Sequence, residues 1–136
     1  MHKKALLFCD GASSGNPGDS GIGAVLIIDE KRFTFSDFIG KATNNIAEYR
    51  ALIKGLREAK KHGAATVDIY ADSELMVKHI SGEYRVKSAN LITLYQQVVS
   101  LLKDFKSFTI THIPREKNAE ADELAKSAIL KKHIKN

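Results

Sequence analysis

An apolar run, Ala5-Leu6-Leu7-Phe8-Cys9, stops at Asp10, and Asp10 opens a stretch of small residues from Gly11 to Gly18. A short, continuous apolar run reads as a buried strand. Such strands lie in the middle of α/β sheets, and sites gather where their loops leave the sheet. Asp10 therefore belongs at the edge of a core, half desolvated. A lone carboxylate there is costly unless it is paired or holds a cation. The remaining sequence has to show whether other acids reach the same place.

The chain after this stretch alternates strand and helix signals. Gly21–Ile28 reads as a second buried strand, Asp29–Arg32 as a hairpin turn, and Phe33–Phe38 as a half-exposed third strand. Short connections make these three an antiparallel meander. Gly40–Asn44 reads as a loop, with Thr43 or Asn44 capping a helix from Asn45 to His62 that Gly63 stops. Thr66–Ala71 is a fourth strand, reached through a helix and so free to lie parallel to the first. A short helix over Ser73–Ile80, a bend over Ser81–Lys87 and a helix from Ser88 to Leu102 follow. Phe108–Ile113 is a fifth strand, broken by Pro114. Asn118 is placed to cap a last helix, beyond which the basic tail Lys131–Asn136 is expected to fray. The fold class is α/β: a mixed five-stranded sheet with helices on both faces. At 136 residues the expectation is one domain, residues 1–136.

Four acids fall at informative places. Asp10 and Asp72 end two strands that can be parallel neighbours, so both leave the sheet at one edge. Glu48 lies one turn into the first long helix, on the same face as Asn44. Asp122 sits in the first turn of the last helix, where the dipole favours an anion. Singly, each has a plain structural reading: Asp72 as a cap, Asp122 as a helix-start charge, Glu48 as a surface residue. Together they form a set whose members repel one another and cannot all stay ionised unaided. Mg²⁺ resolves this, because it takes carboxylate oxygens and keeps its remaining positions for water and substrate phosphates. Two such ions can activate a water and stabilise the leaving oxygen of a phosphodiester. Lys and Arg number 21 against 16 Asp and Glu, a net charge of +5 that favours a polyanion.

The single cysteine, Cys9, excludes an internal disulfide and a thiolate metal cluster and fits a reducing compartment. Too few apolar residues precede Asp10 for a signal peptide or a membrane span. A cytoplasmic protein without membrane contact is expected.

The motifs Phe8-Cys9-Asp10-Gly11, Gly15-Asn16-Pro17-Gly18, Thr43-Asn44-Asn45-Ile46-Ala47-Glu48, Tyr70-Ala71-Asp72-Ser73 and Asn118-Ala119-Glu120-Ala121-Asp122-Glu123-Leu124-Ala125 cover nearly the whole chain. In order and spacing the set resembles the ribonuclease H type 1 family, in its archaeal-type form. The resemblance implies a ribonuclease H-like fold, with the first three strands antiparallel and the fourth and fifth parallel to the first. It implies an endonuclease that cuts the RNA strand of an RNA/DNA hybrid and leaves 3′-hydroxyl and 5′-phosphate ends. Its catalytic, metal-holding carboxylates map onto Asp10, Glu48, Asp72 and Asp122. Two Mg²⁺ ions are implied with substrate bound, and Mn²⁺ as an alternative. The family's mobile histidine maps onto His112, ten residues before Asp122.

Reading a ribose 2′-hydroxyl needs small residues and groups that both donate and accept. Gly11, Ala12, Ser13, Asn16, Asn44 and Asn45 suit this task. By resemblance, Thr43 and Asn16 also seat a phosphate of the DNA strand. Asn118 is counted with the substrate contacts as well as being a helix cap. The Trp-rich basic insertion of many bacterial members is missing between the middle helices. Arg85, Lys87 and Arg115 are therefore expected to supply the basic contacts, together with Lys117 or the basic tail. His2, His62, His79 and His133 receive no role. A monomer is expected. Activity on double-stranded RNA, another nuclease or resolvase chemistry on the same fold, and a non-catalytic binding module stay open at this point.

Overall fold

The computed structural model of the chain describes residues 3–134. Three strands come first: β1 (Lys4–Ser13), β2 (Gly18–Ile28) and β3 (Lys31–Ala42). Then follow α1 (Asn44–Lys61), β4 (Thr66–Ala71), α2 (Glu74–Ile80), α3 (Ala89–Leu102), β5 (Ser107–His112), a 3-10 turn (Arg115–Asn118) and α4 (Ala119–Ile134). The strands form one sheet in the order β3-β2-β1-β4-β5. β1, β2 and β3 pair antiparallel, and β4 and β5 run parallel to β1. This is the expected mixed sheet.

Strand periodicity divides the two faces. Ala5, Leu7 and Cys9 of β1 and Val67, Ile69 and Ala71 of β4 are buried together in the main core, with Leu52 and Leu56 of α1 and Val98 of α3. α1 lies close on β1 because Gly55 has no side chain: a Cβ there would stand 2.5 Å from a Leu7 methyl. On the opposite face α4 lies against β2 even more closely. A Cβ on Gly23 would meet the Ala121 carbonyl oxygen at 2.2 Å, and one on Gly21 the Ala125 carbonyl oxygen at 2.3 Å. Two glycines on β2 thus let the helix carrying Asp122 settle onto the sheet.

Several boundaries differ from the sequence reading. β1 continues past Asp10, pairing Gly11, Ala12 and Ser13 with Ile22, Gly21 and Ser20. Only residues 14–17 remain as loop. Likewise β3 runs on to Ala42 through a register shift opposite Ser20 and Gly21. Small residues in both places mark close contact rather than loops. The hairpin turn is the two residues Asp29 and Glu30, at φ 58° and 63°, the left-handed pair that a tight hairpin requires. Thr43, not Asn44, caps α1, its Oγ1 accepting from the Ile46 N–H at 3.2 Å. Gly63, at φ +83°, follows the helix end. At the other end of the chain α4 stays helical to Ile134, four residues into the tail expected to fray. Lys135 and Asn136 lie outside the described residues. Among the described residues no helix is long and apolar enough to cross a membrane.

Candidate active site

β1 and β4 place two of the acids. Their parallel pairing ends at Cys9 and Ala71, so the next residues, Asp10 and Asp72, emerge side by side. α1 brings the third. A Cβ on Gly11 would stand 2.3 Å from the Ala47 carbonyl carbon and 2.4 Å from the Glu48 nitrogen. Glycine is thus the residue that lets the first turn of α1 touch β1. Carboxylate oxygens of Asp10, Glu48 and Asp72 all lie within 4.8 Å of one another. Asp10 is only 3% exposed.

One backbone donor serves two of these acids. The Gly11 N–H donates to Glu48 Oε1 at 2.7 Å and to Asp10 Oδ1 at 3.0 Å. Burial pushes the Asp10 carboxyl well up, and the nearby Glu48 and Asp72 charges push it further. Burial raises Glu48 as well, while hydrogen bonds from Asp10 and Gly11 and the charge of Arg115 pull it back down. Without a cation, the pair therefore holds a proton that neither acid would keep in water.

Asp122 stands outside this tight trio but within hydrogen-bonding reach of Asp10, whose carboxyl it also pushes up. A second bond holds it: Asp122 Oδ2 is 3.0 Å from Lys126 Nζ, one turn along α4. The four acids thus meet, three as a compact cluster and the fourth beside Asp10.

Asn118 requires a correction. It is neither a surface contact nor the cap of α4. It is 2% exposed, and its Nδ2 donates to the Cys9 carbonyl at 2.9 Å and to Asp72 Oδ2 at 3.4 Å. Its Oδ1 is buried without a hydrogen-bond partner, so it caps nothing. The side chain clips the end of β1 to the acid that ends β4. Asn118→Ala removes both of these hydrogen bonds and leaves a gap at a buried position. The expected loss is about 1–3 kcal/mol in a thermal melt.

The remaining expected residues fall into two groups. Asn16 and Asn44 stay together: Asn16 Oδ1 accepts from the Asn44 N–H at 3.0 Å, beside Thr43. With Asn45 they line a cleft of about 370 Å³. Ser88 and Asn90, at the start of α3, complete that cleft. The sequence reading missed these two, because nothing in the local pattern brings α3 to the start of α1. Arg85 and Lys87 line a neighbouring cleft of about 560 Å³ that shares Asn45.

Gly11, Ala12 and Ser13 are strand residues rather than loop. The smallness of Gly11 accommodates α1, and the Ser13 hydroxyl donates to the Ala42 carbonyl at 3.0 Å and to the Gly15 carbonyl. His112 is exposed at the end of β5, in register with Ala71 and one residue from Asp72's level, outside the acid trio. Arg115 begins the 3-10 turn, close enough for its charge to act on Glu48.

The donor set fits a hard divalent cation: oxygen ligands only, largely desolvated, with more negative charge than Arg115 and Lys126 offset.

Comparison with known proteins agrees with this geometry. The family model described as reverse transcriptase-like matches residues 8–128. The chain is 40% identical over 129 residues to the bifunctional protein Rv2228c of Mycobacterium tuberculosis, covering 93% of this chain and 35% of that protein. It is 32% identical to a ribonuclease H of Prosthecochloris aestuarii, covering 95% of this chain and 97% of that protein. Among solved structures, the N-terminal RNase H domain of Rv2228c superposes with a TM-score of 0.89, covering 93% of this chain and 98% of that one. LC11-RNase H1 in complex with an RNA/DNA hybrid superposes at 0.85 with 35% identity, covering 93% and 97%. The chain thus spans about a third of the mycobacterial relative and nearly all of the shorter one. With the fold, the acid cluster and these matches in agreement, this chain belongs to the ribonuclease H family.

Proposed function

We propose that this chain is a single ribonuclease H type 1 domain that hydrolyses the RNA strand of RNA/DNA hybrids, leaving 3′-hydroxyl and 5′-phosphate ends. The observation that carries this reading is the desolvated cluster of Asp10, Glu48 and Asp72 beside the Asn16, Asn44 and Asn45 cleft. Asp10, Glu48, Asp72 and Asp122 would hold divalent ions, Mg²⁺ or Mn²⁺, two of them with substrate bound. Those ions would supply the Lewis acid that activates water and stabilises the leaving oxygen.

The chain's own residues do the rest. The Gly11 N–H orients the Asp10 and Glu48 carboxylates, and Asn118 steadies Asp72. Asn44 and Asn45 offer amide groups that donate to and accept from a ribose 2′-hydroxyl, the group that marks the RNA strand. Thr43 and Asn16, at the start of α1, seat a DNA-strand phosphate at the positive end of the helix dipole. His112, at the rim of the site, assists proton transfer and product release. The hybrid seen with LC11-RNase H1 supports this choice of substrate. We further propose that the domain works as a monomer in the cytoplasm.

A substrate panel tests the reading. Labelled RNA/DNA hybrid, double-stranded RNA and DNA duplex are incubated with Mg²⁺ or with chelator. The RNA strand of the hybrid is expected to be cut, only with the ion, giving 5′-phosphate ends. Cleavage of the DNA duplex, or cleavage that persists in chelator, contradicts it.

Binding has its own prediction. Arg85 and Lys87 stand beside Asn45 on the wall of the larger cleft, placed to meet phosphates. The Arg85→Ala/Lys87→Ala variant should bind hybrid more weakly and flatten the plot of log affinity against log salt by about two units if both contact phosphates. An unchanged slope in a fluorescence-anisotropy titration would remove them from the interface.

A further inference from the structure

Glu48 sits on α1 and Asp72 lies between β4 and α2, and one buried side-chain hydrogen bond joins α1 to α2. Tyr49 follows Glu48 on α1, but its side chain is turned into the core, 1% exposed. Its hydroxyl lies 2.8 Å from Nδ1 of His79, itself 4% exposed near the end of α2. Among the described residues this is the sole side-chain hydrogen bond between α1 and α2. α2 has seven residues and starts two positions after Asp72, capped by Ser73, whose Oγ accepts from the Met76 N–H at 3.2 Å. A seven-residue helix has little cooperative stability of its own, so its orientation depends on what it is tied to.

The bond joins two buried rings, a phenol hydroxyl on α1 and an imidazole nitrogen on α2. Neither side chain belongs to the acid trio. A buried hydrogen bond adds only about 1 kcal/mol net, and two apolar groups of the same shape would serve stability about as well. What a polar pair adds over an apolar one is direction. An apolar contact tolerates sliding, whereas a 2.8 Å hydrogen bond sets both the spacing and the rotation of the two helices.

The geometry points to Tyr49 and His79 as positioning residues that hold the carriers of Glu48 and Asp72 at the separation a divalent ion needs. This rests on the metal-site reading above and deepens it. It assigns a role to a histidine that the sequence pattern left without one.

The test compares wild type with Tyr49→Phe, His79→Leu and the double variant. It uses thermal melts and calorimetric titration with Mg²⁺ and with Mn²⁺, well below every melting point. Each single variant strands a buried polar group, so each should melt earlier. The double variant should recover most of that loss. Ion affinity should behave differently, falling about tenfold in the double variant, the lower end of what removing a supporting contact does to a metal site. The rate at saturating hybrid should fall with it while KM for hybrid stays put, and excess Mn²⁺ should restore much of the rate. A folded double variant that binds ions as tightly as wild type overturns the inference and leaves a buried polar pair with a structural role alone. A wild-type protein that binds no divalent ion at all would instead sink the metal-site reading beneath it.

Discussion

Replacing Asp10 by Asn should abolish cleavage and, in the same molecule, raise the melting temperature of the ion-free protein. Both effects come from one cause. Asp10 is a carboxylate buried among carboxylates, a position that costs stability and that the proposed cation would offset. Asn keeps the shape and supplies an N–H toward Glu48 where Asp10 needs a proton. Removing a ligand that contributes about 4 kcal/mol of charge stabilisation lowers the rate about a thousandfold. Relief of the repulsion should stabilise the fold by about 1–2 kcal/mol, or about 3–8 °C in the melt.

The pH dependence follows with a definite sign. The folded-state pKa values of Asp10 and Glu48 are raised above 3.8 and 4.5, the ordinary values of the two acids. The folded protein therefore binds more protons than the unfolded chain above that range. The stability these groups contribute is fully present below their unfolded pKa values and is lost as pH rises through the folded ones. In chelator, wild type should melt earlier at pH 8 than at pH 5 by a larger margin than Asp10→Asn does. Mg²⁺ should recover the difference at pH 8, because a cation binds the deprotonated cluster. A wild-type protein equally stable at both pH values, or a variant that gains nothing, would show that the acids are not desolvated together.

Gly11→Ala is the second large effect. The added methyl group would stand 2.3 Å from the Ala47 carbonyl carbon and 2.4 Å from the Glu48 nitrogen, both backbone atoms that cannot rotate aside. Either α1 retreats or β1 bends, and the Gly11 N–H loses its hold on Glu48 Oε1. Overpacking of this kind costs about 1–3 kcal/mol. A shift approaching an ångström at a reacting group lowers the rate about a hundredfold. Gly63→Ala is the matched control. Gly63 has φ +83° with nothing within 4 Å of a new Cβ, so the change strains the backbone by about 1 kcal/mol and should leave the rate alone. If Gly11→Ala cuts hybrid at the wild-type rate, the contact between α1 and β1 does not set Glu48.

The legibility of the sequence follows from where the determinants lie. The parallel pairing of β1 and β4 could be read because each strand ends in an acid and because a helix between them leaves β4 free to lie parallel to β1. Asp10 and Asp72 could be brought together on the same ground, whereas Glu48 joined them through its place on α1 and the family resemblance. Element boundaries were harder. Gly11 and Gly40 look like loop residues, yet both are in strands, where Gly11 admits a helix and Gly40 lies at the irregularity opposite Ser20. Asn118 looks like a cap because asparagine before a helix usually is one. Its real partners, Cys9 and Asp72, are 109 and 46 residues away. His79 gave no signal, because its partner Tyr49 is an ordinary core position until the two helices are packed. Contacts set by helix packing are long-range, and no local pattern encodes them.

The most direct test of the central claim is anomalous scattering from crystals of this chain soaked in Mn²⁺. Strong peaks are expected among the carboxylates of Asp10, Glu48 and Asp72, lost in Asp10→Asn crystals that are otherwise unchanged. Ordered carboxylates with no peak between them, in a protein that still cuts hybrid in chelator, would contradict it.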